Sequence, residues 1–139
     1  MFQPLYTATA TAHGGREGQV RSDDGVVQHR LALPTALGGK GDPGTNPEQL
    51  FAAGFSACFE SALRLVARLQ KKPLKDAHVT ARVTIGKGDD GGYQLAVELH
   101  GQIEGVSREE TQALMEAAHH VCPYSKATRG NVPVTLIAD

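Results

Sequence analysis

One stretch of the chain, residues 46–68, limits the possible folds more than any other. It opens with Asn46 and Pro47, residues favoured at the N-cap and at the first position of a helix, and Gln49 completes a pattern resembling a capping box. Apolar residues then recur every three or four positions, the period of a helix with one buried face: Phe51, Phe55, Cys58, Ala62, Val66 and Leu69. The sequence therefore predicts a long amphipathic helix with Cys58 in its apolar stripe.

Alternating patterns before and after this helix predict strands. The predicted strands cover residues 5–12, 16–22, 27–33, 77–85, 93–103 and 132–137. Ser107 and Glu110 form a capping-box pattern that predicts a second helix, and Pro123 is expected to end it. The order βββ-α-ββ-α-β predicts an α+β fold with a mostly antiparallel sheet, in a single domain of residues 1–139.

Size and composition are those of a soluble globular protein. The 139 residues are 40% hydrophobic and 21% charged, with a net charge of -1 and no basic run, so neither nucleic acid nor a membrane surface is an expected partner. The N-terminal residues lack the pattern of a signal peptide. Glu60, Arg64 and Arg68 interrupt the long helix, which argues against a membrane span. We expect a cytoplasmic protein.

The apolar surface of the first helix extends beyond one stripe, because Leu50, Phe59, Leu63 and Leu65 lie outside it. A helix that is apolar nearly all round is buried on most sides. A single small sheet covers only one side, so the sequence predicts that a second subunit covers the rest, most simply by two-fold symmetry.

The two cysteines, Cys58 and Cys122, point to chemistry. In a reducing compartment such a pair is more often catalytic, redox-active or metal-binding than a structural disulfide. An apolar surrounding raises the pKa of a thiol, so Cys58 needs a neighbouring cation, for which an arginine is best suited. Cys122 lies at the end of the second helix, where the helix dipole disfavours a thiolate. This difference favours Cys58 as the attacking sulfur.

Two other interpretations of the cysteines stay open at this point. Free cysteines are often simply buried, so Cys58 is also suited to a packing role. A metal site would use both cysteines with His119 or His120, but the chain lacks a Cys-x-x-Cys or His-x3-His core. No metal is therefore predicted.

Three motifs resemble those of the organic hydroperoxide resistance (Ohr) proteins. The first is TNPEQLFAAG at residues 45–54, followed by Ala-Cys-Phe at residues 57–59. The second is VCPYS at residues 121–125, followed by ATRGN at residues 127–131, and the third is GGREG at residues 14–18. They occur in the family's order across nearly the whole chain. The related OsmC branch shares the fold and both cysteines, but Cys-Pro-Tyr-Ser and the short N-terminus are more similar to Ohr.

The resemblance implies an OsmC-like fold around a long central helix, in an intertwined cytoplasmic homodimer. It also implies a cofactor-free peroxidase that reduces organic hydroperoxides and is itself reduced by a lipoylated protein or another dithiol. Cys58 would be the peroxidatic cysteine and Cys122 the resolving one, with Arg16 as the activating cation and Glu48 as the carboxylate that holds it. A further expectation is an apolar wall for bulky peroxides, made of Phe51, Phe55, Phe59 and Tyr124.

The spacing of Glu48 and Cys58 adds a constraint. Ten residues of continuous helix span roughly 15 Å, so one arginine head cannot touch both side chains on a straight helix. Either the helix breaks near Gly54, or Arg16 and Glu48 meet Cys58 from the partner subunit. Two further functions stay open from the sequence: a thiol-based redox sensor without turnover, and a binding protein for apolar ligands in which Cys58 only lines the pocket.

Overall fold

The computed structural model describes all 139 residues and confirms the α+β class with one long helix. The helices are α1 (Pro47–Leu69), α2 (Arg108–Val121) and α3 (Pro123–Thr128). The strands are β1 (Ala10–His13), β2 (Gln19–Ser22), β3 (Gln28–Arg30), β4 (Ala77–Lys87), β5 (Tyr93–Ile103) and β6 (Val134–Ala138). The chain forms two compact units, Met1–Leu50 and Phe51–Asp139.

The first unit contains a small antiparallel sheet in the order β1-β2-β3. Its first two strands are shorter than predicted, since pairing starts only at Ala10 and resumes at Gln19. The sequence pattern marked residues 5–9 and 16–18 as strand because alternation alone does not reveal where a pairing partner ends. Residues 1–9 have no regular secondary structure, and their large apolar side chains are exposed: Met1, Phe2, Leu5 and Tyr6.

The second unit is built on a long hairpin of β4 and β5, as predicted, with β6 on the other side of β5. β6 runs parallel to β5, with Leu136 opposite Leu99. A parallel neighbour needs a long crossover connection, and α2 and α3 provide it. The central strand β5 contributes Val97, Leu99 and Ile103 to the core.

The core of the second unit joins this sheet to α1 and α2. The buried residues of α1 are Phe55, Phe59, Ala62, Leu63, Val66 and Ala67, a wider face than the predicted stripe. Phe51 and Cys58 are half-buried, whereas Leu69 is 71% exposed and was wrongly placed in the buried stripe. Leu69 belongs to the last turn of the helix, just before the chain bends away at Lys71, whose φ is 60°.

By length and composition alone, α1 could also cross a membrane. The core helix of a soluble protein passes the same test, and here Phe55, Phe59 and Leu63 are fully buried by the rest of the second unit. The opposite side carries Glu60 and Arg64, which form an i,i+4 ion pair at the surface. This packing is that of an amphipathic core helix.

Candidate active site

Arg16 lies in a tight 3-10 turn, Gly15–Glu17. The residues that flank this turn, Gly14 and Gly18, both need to be glycine. Gly14 and Gly15 have φ values of 82° and 60°, a left-handed conformation that costs glycine little. A Cβ atom at Gly18 would lie 1.8 Å from the carbonyl oxygen of His13, so no other residue fits there. The glycines of the GGREG motif are therefore required for the turn that contains Arg16.

Glu48 lies in the first turn of α1, where the helix dipole favours a negative charge. The N-cap prediction is confirmed, because the Gln49 main-chain N–H donates to Asn46 Oδ1 at 2.8 Å. The return bond of a capping box is replaced, since Gln49 Oε1 accepts from the Thr45 hydroxyl at 2.8 Å. This double anchoring fixes the start of the helix and hence the backbone of Glu48.

Arg16 and Glu48 form a bidentate ion pair. The two terminal nitrogens of Arg16 donate to Oε2 and Oε1 of Glu48 at 2.8 and 2.7 Å. The Arg16 side chain is 35% exposed and that of Glu48 only 13%. Hydrogen bonding from Arg16 lowers the pKa of Glu48 and outweighs the opposing effect of burial. The carboxylate thus holds the guanidinium fork in one orientation.

The two cysteines lie side by side although 64 residues separate them. Cys58 Sγ and Cys122 Sγ are 3.5 Å apart, within hydrogen-bond distance of each other. Both are free thiols; Cys58 is half-buried on α1, and Cys122, directly after α2, is fully buried. A disulfide needs the sulfurs at about 2.05 Å, so an approach of about 1.5 Å would join them.

Within the second unit, the surroundings of Cys58 disfavour its thiolate form. Burial raises the pKa of the Cys58 thiol, and the neighbouring Cys122 thiol raises it further. The main-chain N–H of Tyr124 opposes both by hydrogen-bonding the sulfur, but it does not reverse the direction. The predicted need of Cys58 for a cation therefore matches its environment.

The helix α3 was missed by the sequence reasoning, which took Pro123 only as the end of α2. Pro123 is also the first residue of α3, and Cys122 is at once the C-cap of α2 and the N-cap of α3. The preference of proline for the first helical position was the available signal. The N-cap of α2 is confirmed, since Ser107 Oγ accepts from the Glu110 N–H at 3.1 Å.

An aromatic cluster joins α3 to α1 beside the cysteines. The Tyr124 ring lies 6.2 Å from that of Phe51 and 5.7 Å from that of Phe55, measured between centroids. Tyr124 is 40% exposed and Phe51 half-buried, whereas Phe55 and Phe59 are fully buried. Of the four residues expected in an apolar wall, Phe51 and Tyr124 thus present a surface.

Two further expectations concern α1 and the histidines. The helix is continuous from Pro47 to Leu69, so the proposed break near Gly54 is wrong; the arrangement across a partner subunit stays a prediction. No three side chains of His, Cys, Asp or Glu are grouped as metal ligands. His119, a residue of the alternative metal site, has a buried Nδ1 without a hydrogen-bond partner, and burial lowers its pKa.

Comparison with known proteins identifies the family of the chain. The family model described as OsmC-like protein matches residues 39–137. The organic hydroperoxide resistance protein OhrA of Bacillus subtilis is 54% identical over 138 residues, which cover 98% of this chain and 97% of OhrA.

Solved structures give the same picture. An organic hydroperoxide resistance protein from Elizabethkingia anophelis has a TM-score of 0.92 at 53% identity, covering 99% of both chains. OhrB of Bacillus subtilis has a TM-score of 0.90 at 46% identity, covering 98% of this chain and 100% of OhrB. The chain belongs to the OsmC-like family and, within it, to the organic hydroperoxide resistance proteins.

Proposed function

We propose that this protein is a thiol peroxidase that reduces organic hydroperoxides to alcohols through Cys58 and Cys122. The observation that carries the proposal is the pair of free thiols at 3.5 Å, one half-exposed and one fully buried. A half-exposed sulfur is open to a substrate, and a buried neighbour at this distance traps its oxidised form. The names of the relatives, organic hydroperoxide resistance proteins, agree with this substrate class.

The first step needs the Cys58 thiolate. Arg16, held by Glu48, is the cation we assign to it, because an arginine keeps its charge when partly buried. The thiolate attacks the terminal oxygen of the hydroperoxide, and the O–O bond breaks as the S–O bond forms. Sulfur loses two electrons, the alkoxide leaves and takes up a proton as the alcohol, and Cys58 becomes a sulfenic acid. Glu48 does not act on the thiol, since a second negative charge would raise its pKa.

The second step uses Cys122. Its thiol loses a proton and its sulfur attacks the sulfur of the Cys58 sulfenic acid; hydroxide leaves and is released as water. The product is a Cys58–Cys122 disulfide. The short separation of the two sulfurs favours this reaction over further oxidation of Cys58 by a second peroxide.

The third step returns the enzyme to the dithiol. One thiolate of an external dithiol attacks the disulfide to give a mixed disulfide, and the second thiol of the same molecule closes its own ring and releases both cysteines. A lipoyl group on a protein fits this role, as the resemblance implied. No cofactor takes part in any of these steps.

The proposed substrates are hydroperoxides with an apolar body. Phe51 and Tyr124 present aromatic surface next to the cysteines, and apolar contact stabilises an organic peroxide by about 25 cal/mol per Å² removed from water. Hydrogen peroxide gains nothing from this surface. The aromatic cluster therefore supports a preference for alkyl and lipid hydroperoxides.

We further propose a cytoplasmic homodimer as the active form. The apolar side chains of residues 1–9 are almost fully exposed in one protomer, and Leu69 of α1 is 71% exposed. Apolar surface of this kind is typical of an interface between subunits. A monomeric variant that keeps full turnover would contradict an active site that depends on the partner.

The decisive experiment is a single-turnover oxidation. One equivalent of tert-butyl hydroperoxide is added to the reduced protein, followed by thiol titration and intact mass. We expect both thiols to disappear with a loss of two hydrogens, and repeated turnover once dihydrolipoamide is supplied. If Cys58→Ser retains turnover, the assignment is wrong; oxidation without recycling by any dithiol would instead favour a redox sensor.

The role of Arg16 is tested by two substitutions. Arg16→Ala is expected to slow the reaction of Cys58 with peroxide far more than it lowers the thermal midpoint of unfolding. Arg16→Lys keeps the charge but not the fork, so it should recover only part of the rate. Equal rates for all three proteins would exclude Arg16 as the activating residue.

A further inference from the structure

Gly54 is a glycine in the middle of α1, a place where alanine would stabilise the helix. It has an ordinary helical φ and makes no turn, so its backbone freedom is not needed. It lies four residues before Cys58, on the same side of the helix. An interior helix glycine usually has a packing reason.

The packing reason is the side chain of Tyr124. A Cβ atom placed on Gly54 would lie 2.9 Å from Tyr124 Oη and 3.2 and 3.3 Å from the ring carbons Cε2 and Cζ. The phenol end of Tyr124 thus rests directly on the bare backbone of α1. Any side chain at position 54 forces the ring to move.

The main chain of Tyr124, at the opposite end of the residue from its phenol, lies next to Cys58 Sγ. Its main-chain N–H faces Cys58 Sγ, while its phenol rests on Gly54, one helical turn earlier. The residue therefore lies along α1 from Cys58 to Gly54. Phe51 and Phe55 flank the same ring, so its position fixes the half-exposed aromatic surface next to the thiol.

We propose that Gly54 is a specificity-determining residue. Because it has no side chain, Gly54 allows the Tyr124 ring to pack against α1, and this ring forms the apolar surface that hydroperoxides with an aryl or branched alkyl group contact beside Cys58. This inference rests on the proposed peroxidase function and deepens it. Gly54 itself touches no reacting atom. It acts through Tyr124, and the property it controls is the preference for bulky organic over small peroxides.

The test compares kcat/KM for cumene hydroperoxide and for hydrogen peroxide. Gly54→Ala is expected to lower the value for cumene hydroperoxide at least fivefold and to leave that for hydrogen peroxide within about twofold, since only the organic substrate uses the displaced surface. An unchanged ratio of the two values, or an equal loss for both substrates, would overturn the proposal.

A double-mutant cycle distinguishes the loss of the Tyr124–Gly54 contact from a general effect of the substitution on the helix. Tyr124→Ala should lower the same ratio, and adding Gly54→Ala to it should lower the ratio no further, because the ring to be displaced is gone. In the Tyr124→Ala background, Gly54→Ala should raise the thermal midpoint, as expected for alanine in a helix. Additive losses of selectivity would contradict a shared mechanism.

Two more variants guard against misfolding. In Gly54→Ala/Tyr124→Phe the closest atom, Oη, is absent, so the crowding is reduced and the ratio should recover in part. Gly86→Ala is the matched control, because a Cβ atom there meets nothing within 4 Å. If the wild type itself shows no turnover with either peroxide, the proposed function fails; if it turns over and the ratio does not respond to Gly54, only this inference fails.

Discussion

Replacing Glu48 by glutamine tests the ion pair that holds Arg16. The side chain keeps its size, but its charge is lost and one of the two acceptor oxygens becomes a donor that faces the guanidinium. Both hydrogen bonds of the pair, at 2.7 and 2.8 Å, depend on that carboxylate. The substitution thus weakens the fork without creating a cavity.

The expected loss of stability follows from the burial of the pair. A hydrogen bond to a charged group contributes about 1.5–3 kcal/mol when buried, and an exposed ion pair about 0–1 kcal/mol. Because Arg16 is 35% exposed and Glu48 13%, the pair lies between these limits. We expect Glu48→Gln to lower the free energy of unfolding by about 1–2 kcal/mol at pH 7, a fall in the thermal midpoint of about 3–4 °C per kcal/mol for a chain of this size.

The pH dependence gives the sharper test. Since Arg16 lowers the pKa of Glu48 in the folded protein, the pair stabilises the fold fully above the unfolded pKa of about 4.3, and this contribution is lost as the pH falls through the folded pKa. The difference between wild type and Glu48→Gln should therefore be largest near pH 7 and shrink below about pH 4.

The assay is urea unfolding of both proteins from pH 3 to pH 7. Glu60→Gln is the matched control, since Glu60 pairs with Arg64 at the surface of the same helix and should contribute no more than about 0.5 kcal/mol. A difference for Glu48→Gln that is independent of pH, or no larger than that of the control, would refute the reasoning.

Three further outcomes are expected. Cys122→Ser should halt the single-turnover reaction at a Cys58 sulfenic acid, seen as one added oxygen by mass and trapped by dimedone; a protein that still loses both thiols would contradict its role. Gly101→Ala should destabilise the fold by about 1–3 kcal/mol in urea unfolding, because its Cβ atom would lie 2.6 Å from Met115 Sδ in the core. Hydrogen bonds that the His100 imidazole donates to the carboxylates of Glu98 and Asp139 raise the pKa of His100. Its contribution to stability is therefore full below the unfolded pKa of about 6.5 and is lost as the pH rises through the folded value. An NMR titration of the imidazole should give a midpoint above 6.5, and a normal midpoint would contradict the two hydrogen bonds.

Much of the fold could be predicted because its signals are local. The cap at Asn46 predicts the first residue of α1, and the predicted stretch of residues 46–68 stops one residue before the last helical residue, Leu69. Strand bounds are less local, since β1 begins at Ala10, opposite Ser22 at the end of its partner β2, and not where the alternating pattern begins. The parallel pairing of β6 with β5 depends on how α2 and α3 cross the sheet, which no short pattern contains.

The parts of the candidate site differ in how far they could be predicted from the sequence. The raised pKa of Cys58 followed from the apolar residues around it in sequence. The Arg16–Glu48 pair joins positions 32 residues apart, and its prediction came from the resemblance and not from the pattern. The packing of Tyr124 on Gly54 was not predicted, because a glycine in a helix indicates a close packing contact but does not indicate which residue makes it.

Cys122 caps two helices at once, so a movement of this residue on oxidation affects the orientation of α3. Cys122 is the single residue between α2 and α3, so its sulfur is attached to the joint between the two helices. A displacement of about 1.5 Å at a joint becomes a change of angle in the short arm beyond it, and Tyr124 is on that arm. In the proposed cycle, forming the disulfide therefore also shifts the Tyr124 ring, which lies beside the Cys58 thiol.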